Sequence, residues 1–409
     1  MKSSLVAVLM FFSVAAFSQS TGIHYESGTF EEALVKAQTM HRPLCVYLDM
    51  ESNPVSKMVK TDFFGKDSVA NWFNSKFINY KLEDCEGKDS NFVKSMDIIG
   101  YPYFAFYDET GRLIHWFGGA PTSAEEYQAV QEDVFTKEKT VAYFEDNYTT
   151  RKGDVSFVNT YFHLLFHGKR SLPEVVKDYI LGLPLKQATT KENWSIITQA
   201  CIKDSAFGVN YLVSNASFFA ANLPANDFSI TLDRVLFNYF TECFNAAIHV
   251  DDEKKRLETK LNSLGESLKS RALFSLNSAY CIRKMQFTML CDLVAKEGVD
   301  YCSLISEGYL FFQLVESCAD LESMGVIIQC LKGRLDHMEK NRNEQGNDDF
   351  NLFEVRLTLA KCLLKQKKKS ELLMLLNQLD QDLQTVIYPF GNPKMEIKEM
   401  RQQAAAWKD

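Results

Sequence analysis

The chain has 409 residues, of which 46% are hydrophobic and 24% charged, a balance that excludes disordered and collagen-like chains. At this length two domains are a better expectation than one. The formal net charge is −8 and no basic tract is present. This argues against nucleic-acid binding, which needs clustered lysine and arginine to neutralise phosphates.

The first residues predict export. A single Lys2 precedes an apolar run over residues 5–17, and small and polar residues follow it. This pattern is typical of a secretory signal peptide over residues 1–18, and we expect the mature chain to begin at Gln19. An uncleaved anchor is disfavoured because the apolar run is too short to span a bilayer. No later segment is long, apolar and uncharged, so we expect no membrane span.

The cysteines argue against both a disulfide framework and a zinc site. Ten of them are scattered along the chain, and none forms a Cys-x-x-Cys pair. Several lie inside apolar patterns, as Cys45 does between Leu44 and Val46. The pattern favours buried thiols that pack as small hydrophobic side chains over a set of disulfides.

Residues 19–135 alternate helix and strand signals and predict one α/β domain around a mixed sheet. Strands are predicted from apolar runs, helices from periodicity of apolar residues with capping boxes, and a hairpin from the turn at Asp108–Gly111. In chain order the predicted elements are a helix from Thr29, a strand at 44–48, a helix through Met58, a helix from Asp67, a strand at 77–82, a helix at 91–96, strands at 103–107 and 113–117, and a helix from Ser123.

From residue 136 to 409 the strand signals disappear and helical periodicity dominates. Successive helices with short connections predict an all-α domain of helical hairpins, either a solenoid or an irregular bundle. The predicted helices are 154–167, 173–181, 190–203, 226–247, 252–264, 267–284, 286–296, 302–318, 321–339, 350–366, 370–384 and 394–406.

The N-terminal domain resembles the thioredoxin-like family, especially its exported bacterial members. Tyr47–Met58 aligns with the Trp-Cys-x-x-Cys-Lys-x-Met stretch that follows the first core strand of that family. Ile99–Pro102 aligns with the loop whose proline is cis, and Asp108–Gly119 aligns with the last hairpin. The resemblance covers roughly residues 28–132. It implies a thioredoxin-like fold and a periplasmic or cell-envelope location. The alternative is that residues 51–58 are an ordinary loop and helix start, with Pro54 in the first turn.

The same alignment implies that the redox chemistry of the family is absent. Ser52 and Val55 occupy the positions of the two cysteines. A thioredoxin needs a thiolate nucleophile at the first position and a second thiol that resolves the mixed disulfide. Neither an alcohol nor an isopropyl group can do this, so we predict no catalytic residue. The alternative is a thiol–disulfide oxidoreductase or isomerase that uses a cysteine outside the motif, for which Cys85 is the candidate.

The resemblance still implies a groove that binds an extended peptide. Its predicted lining is the degenerate motif and the proline loop, namely Ser52, Asn53, Pro54, Val55, Tyr101, Pro102 and Tyr103. We therefore expect a protein or peptide partner, bound by strand pairing and aromatic contact. The alternative is a purely structural domain with no binding function.

The helical half contains two further patterns, a repeat-like helical pair and a histidine pair. The helical pair at 353–383 resembles a tetratricopeptide repeat, but it departs from that pattern at Leu372 and Gln384. His163 and His167 lie one helical turn apart, without the glutamate of the metalloprotease motif. A partly exposed histidine pair is the favoured interpretation, so we predict no metal and no cofactor.

Overall fold

The computed structural model describes residues 22–83, 90–119, 132–262, 264–286, 289–290, 292–293, 321–340, 349–384, 386 and 393–407. The predicted leader, the predicted helices from Ser123 and at 302–318, and most of the helix at 286–296 lie outside these residues. By their contacts the described residues form two units, one within 1–84 and 101–115 and the other within 85–100 and 116–409. The predicted boundary at residue 135 stays a prediction.

The N-terminal region is built on a five-stranded mixed sheet with the order β1-β3-β2-β4-β5. Strands β1 and β2 are parallel to β3, and β4 is antiparallel to β2. The elements are β1 (Tyr25–Glu26), α1 (Phe30–Met40), β2 (Leu44–Asp49), α2 (Pro54–Met58), a π-helical turn (Val59–Phe64), α3 (Asp67–Lys76), β3 (Ile78–Glu83), α4 (Ser90–Met96), β4 (Tyr103–Tyr107) and β5 (Leu113–Gly118).

Strand β2 is the centre of this sheet because its neighbours cover both of its edges. Every residue of β2 is buried, as the continuous apolar run predicts. Tyr47 lies opposite Phe104 of β4, with ring centroids 4.9 Å apart, and Phe64 packs edge-on against Tyr47 at 5.0 Å. This cross-strand aromatic cluster is the core beneath α3.

Local signals place the ends of several elements where the sequence predicts them. Helix α1 begins with the predicted capping box, in which Thr29 and Glu32 exchange hydrogen bonds. The predicted hairpin is confirmed, since the Asp108 carboxylate accepts from the backbone N–H of Thr110 and of Arg112 between β4 and β5. The two-residue strand β1 was not predicted, because a segment this short carries no periodicity.

The rest of the described chain is helical. Its helices are α5 (Val141–Arg151), α6 (Val155–Gly168), α7 (Glu174–Gly182), α8 (Leu185–Ala188), α9 (Lys191–Lys203), α10 (Ser205–Ser214), α11 (Ala216–Asn222), α12 (Ala225–Ala246), α13 (Val250–Leu261), α14 (Glu266–Arg283), α15 (Leu321–Lys340), α16 (Asp349–Lys365), α17 (Lys369–Asp382) and α18 (Pro393–Ala405). Most predicted helices are confirmed within a few residues. The sequence reasoning missed α5, α8, α10 and α11, of which α8 and α11 span no more than about two turns.

Close approach between helices is clearest at Gly208 of α10. A Cβ atom at this position would lie 2.6 Å from the backbone oxygen of Cys201 and 2.7 Å from Val235. The glycine therefore lets α10 pack directly against α9 and α12. Among the described residues, no helix combines the length and the apolarity that a membrane crossing needs.

Candidate functional site

The loop between β2 and α2 carries the degenerate motif. Asn53 is the N-cap of α2, and its side-chain oxygen accepts from the backbone N–H of Val55 at 2.8 Å and of Ser56 at 3.1 Å. Pro54 is the first helical residue, where a missing N–H costs nothing. Ser52 lies one residue before the cap. The helix therefore begins two residues after the position that aligns with the nucleophilic cysteine of the family.

The strand register brings the proline loop to the end of the sheet at which the motif loop begins. Leu48 of β2 lies opposite Tyr103 of β4, and the strands run antiparallel. Pro102 immediately precedes Tyr103, and the motif loop begins after Asp49, so both segments leave the sheet beside each other. The Tyr101–Pro102 peptide bond is cis, as the family resemblance implies.

Exposure divides the seven predicted groove residues. Ser52 and Pro54 are exposed, and Asn53, Val55 and Tyr101 are half-buried. Pro102 is buried, and the Tyr103 side chain is only 1% exposed. Tyr103 belongs to the aromatic interior of β4. The accessible part of the predicted lining is therefore residues 52–55 and Tyr101, whereas Pro102 and Tyr103 are buried. That a partner binds along these seven residues stays a prediction.

The only cysteine of this region with a described side chain is unsuited to thiol chemistry. Cys45 lies in the middle of β2 and is 2% exposed. Burial raises its pKa far above that of a free thiol, so the reactive thiolate is suppressed. Cys85 lies outside the described residues. In the helical region Cys201, Cys243 and Cys281 are free thiols, and Cys362 is buried.

The structure adds a buried charge cluster that the sequence reasoning missed. Asp49, the last residue of β2, is 2% exposed, and its Oδ2 atom lies 2.5 Å from Lys60 Nζ and 3.2 Å from Lys81 Nζ. The Tyr47 hydroxyl lies 3.4 Å from the other carboxylate oxygen. Burial, and then the negative charge of Asp49, raise the pKa of Tyr47, so the hydroxyl keeps its proton and donates.

The cluster draws its members from three separate elements, which explains why the sequence reasoning missed it. Tyr47 and Asp49 alternate along β2, and Lys81 is opposite Tyr47 on the parallel strand β3. These three side chains share one face of the sheet because side chains alternate with period two. Lys60 comes from the π-helical turn. The one available signal was an aspartate that ends an otherwise apolar run.

This cluster borders an open cleft of about 910 Å³ at the same end of β2. Apart from Met50, the cleft is lined by charged and polar residues of the motif loop and its surroundings, namely Asp49, Glu51, Ser52, Lys57, Lys60 and Lys81. Ser52 is common to this cleft and to the predicted groove.

The histidine pair of α6 does not extend into a larger constellation. The imidazole centroids of His163 and His167 lie 4.2 Å apart. Burial lowers the pKa of both, and for His167 the neighbouring His163 and Lys203 lower it further. Within the part of the chain that the structure describes, no group of three or more histidine, cysteine or acidic side chains is arranged for a metal ion.

Comparison with known proteins bears on the N-terminal region. Residues 30–135 match a family model described as a thioredoxin-like domain. The N-terminal region has a thioredoxin-like fold. The match, the mixed sheet and the largely helical remainder agree with the fold class expected from the sequence. Among curated proteins, no relative matches the chain.

Proposed function

We propose that this is an exported, redox-inactive thioredoxin-fold protein that binds a protein or peptide segment in a bacterial cell envelope. One observation carries the proposal: the motif loop and the proline loop leave neighbouring strands at the same end of the sheet, while the two motif positions hold Ser52 and Val55 in place of sulfur. An extended segment can pair with the backbone of the proline loop, and half-buried Tyr101 offers aromatic contact. The helical region, which resembles a tetratricopeptide repeat at 353–383, would serve as a scaffold.

The proposed absence of thiol–disulfide exchange is tested by installing two cysteines. We expect the native chain to leave the rate at which a thiol reductant reduces the disulfides of insulin unchanged. We expect the double substitution Ser52→Cys and Val55→Cys to install measurable turnover, because it places two thiols three residues apart beside α2. Turnover by the native chain that disappears on Cys85→Ser would contradict the proposal and favour the oxidoreductase alternative.

A matched control is available at another helix start. Gly153 and Ser156 of α6 have the same offsets from the cap Asp154 as Ser52 and Val55 have from Asn53. Both are exposed, and a Cβ atom at Gly153 would meet nothing within 4 Å. The pair Gly153→Cys and Ser156→Cys should remain inactive, since we expect activity to need the proline loop that leaves the sheet beside the motif loop.

Binding is tested with a panel of fluorescein-labelled extended peptides of differing charge, measured by fluorescence anisotropy. We expect at least one peptide to bind, and Tyr101→Ala to weaken its binding. Leu181→Ala, which trims a 65% exposed side chain of α7, should leave binding unchanged. Equal binding by the native chain and both variants, or no binding at all, would favour the purely structural alternative.

The export proposal has its own measurement. The full chain, expressed in a bacterium with an outer membrane, should be recovered from the periplasmic fraction with Gln19 as its first residue. Retention of Met1 and of the apolar run over residues 5–17 would contradict the proposed signal peptide.

A further inference from the structure

The two histidines of α6 stand side by side on the surface of the helix. His163 and His167 are one helical turn apart, so both imidazoles leave the same face of α6. Their ring centroids lie 4.2 Å apart, with the ring planes at 58° to each other. Both side chains are exposed to solvent. Neither imidazole takes part in a hydrogen bond or an ion pair with another described residue, so the ring nitrogens are available to a ligand.

The backbone that carries the two histidines is held by side chains from elsewhere in the chain. The indole of Trp116 donates to the backbone oxygen of Leu164 at 3.3 Å, and the ammonium group of Lys203 donates to that of Phe166 at 3.0 Å. Trp116 lies so close to the end of the helix that a Cβ atom at Gly168 would be 1.6 Å from its Nε1 atom. Because this segment is already ordered, little backbone entropy is lost when a ligand draws the two rings together.

The separation of the two rings suits a single metal ion between them. Imidazole nitrogens bind zinc at about 2.0–2.1 Å, so two nitrogens on one ion are roughly 3–3.4 Å apart. Rings with centroids 4.2 Å apart can present one nitrogen each at this separation after a rotation of the exposed rings. Two histidines at positions i and i+4 of a helix supply two of the zinc ligands in the metalloprotease motif, which shows that this spacing can hold one ion.

The donor atoms select the class of ion. Imidazole nitrogens suit zinc, copper and nickel, whereas magnesium and calcium bind oxygen atoms. The positive charge of Lys203 acts on His167 and opposes any cation, although the carboxylate of Asp97 acts in turn on Lys203. An ion must therefore form strong bonds to nitrogen in order to bind here, which again favours the transition metals.

We propose that His163 and His167 together bind one divalent transition-metal ion, with water in its remaining coordination positions. The sequence by itself predicted no metal, because no third ligand lies near the pair along the chain. The proximity of the two rings on a fixed helix end carries the proposal, which is independent of the proposed peptide groove. A site with two protein ligands leaves coordination positions open, so a further ligand can join the ion.

The test is isothermal titration calorimetry of the full chain with Ni²⁺, a metal that prefers imidazole and does not oxidise thiols. We expect the tightest binding to involve one ion per chain and to persist in a large excess of Mg²⁺. His163→Ala and His167→Ala should each weaken it by about tenfold or more, because the remaining imidazole binds the ion without chelation. Both positions are exposed and alanine favours helix, so we expect the circular dichroism spectrum to be unchanged.

Two control variants separate the spacing of the histidines from their number. His249→Ala removes an exposed histidine at the start of α13 and should leave the binding of Ni²⁺ unchanged. The double substitution His163→Ala and Thr160→His keeps the number of histidines but places the two of α6 roughly 10 Å apart along the helix axis. Thr160 is exposed, and this variant should bind Ni²⁺ no better than His163→Ala alone.

Several results would overturn the inference. The native chain and His163→Ala would bind Ni²⁺ equally, or not at all, if the pair held no metal. Weakening by only one of the two single alanine variants would indicate a site with one histidine. Displacement of Ni²⁺ by Mg²⁺ would place the ion on carboxylates, and an equal loss in His249→Ala would place it elsewhere in the chain. Full binding by the variant with Thr160→His would show that the spacing is irrelevant.

Discussion

Among the residues that the structure describes, each of the two regions buries one aspartate, and the two are compensated differently. Asp49 of the α/β region meets two lysines and a tyrosine hydroxyl beside an open cleft. Asp233 of α12 is 1% exposed and is paired with Arg271 of α14. Its Oδ1 atom has no hydrogen-bond partner among the described residues. Asp49 is therefore compensated by two cations and a hydroxyl, whereas Asp233 is incompletely compensated between two helices.

The largest expected effect comes from removing both lysines around Asp49. The double substitution Lys60→Met and Lys81→Met leaves a buried carboxylate without its cations. We expect the free energy of unfolding at pH 7 to fall by roughly 3–5 kcal/mol, measured by urea denaturation. Adding Asp49→Leu should recover most of the loss. A double variant that loses less than about 1 kcal/mol would show that the cluster is dispensable to the fold.

The pH dependence of the free energy of unfolding tests the buried aspartate of the helical region. Burial raises the pKa of Asp233 to about 6 from 3.8, although the hydrogen bond and charge of Arg271 oppose this. Because the pKa of Asp233 is higher in the folded chain, its protonated form stabilises the fold. This stabilisation is complete below pH 3.8 and is lost as the pH rises through about 6. Between these limits the wild type should lose up to about 3 kcal/mol relative to Asp233→Asn. Parallel stability curves of the two proteins from pH 4 to pH 7 would contradict this assignment.

Close packing between helices should dominate the helical region. Gly208→Ala places a methyl group against the backbone of α9, and we expect a loss of about 1–3 kcal/mol in thermal or urea unfolding. Gly182→Ala at the end of α7 is the control, because a Cβ atom there meets nothing within 4 Å. Similar stabilities of the two variants would refute the argument for close approach at Gly208.

The smallest effect concerns the cap of α2. Asn53→Ala removes the side-chain acceptor for the N–H groups of Val55 and Ser56, at a cost of about 1 kcal/mol. Asn53→Asp keeps an acceptor oxygen and should retain most of the stability. The measurement is urea denaturation of the three proteins side by side. Equal loss in both variants would mean that the carboxamide matters for something other than capping.

Local patterns in the sequence predicted many of the strands, helices and turns. The buried run of β2, the capping box at Thr29 and the hairpin turn at Asp108 each act over a few residues, so the sequence predicts them directly. The helical half was also predicted, because apolar periodicity persists over segments such as α12 and α13. Short helices such as α8 and α11 were missed, since fewer than about two turns carry little periodic signal.

The sequence by itself determined that the two motif positions hold Ser52 and Val55, and hence that the thiol pair of the resembled family is missing. Only the tertiary structure decided which neighbours surround them. The register of β2 with β3 brings Lys81 to Asp49, and the register of β2 with β4 buries Tyr103 while leaving Tyr101 half-exposed. Register and burial depend on contacts between residues far apart in the chain, which short-range periodicity and capping do not encode.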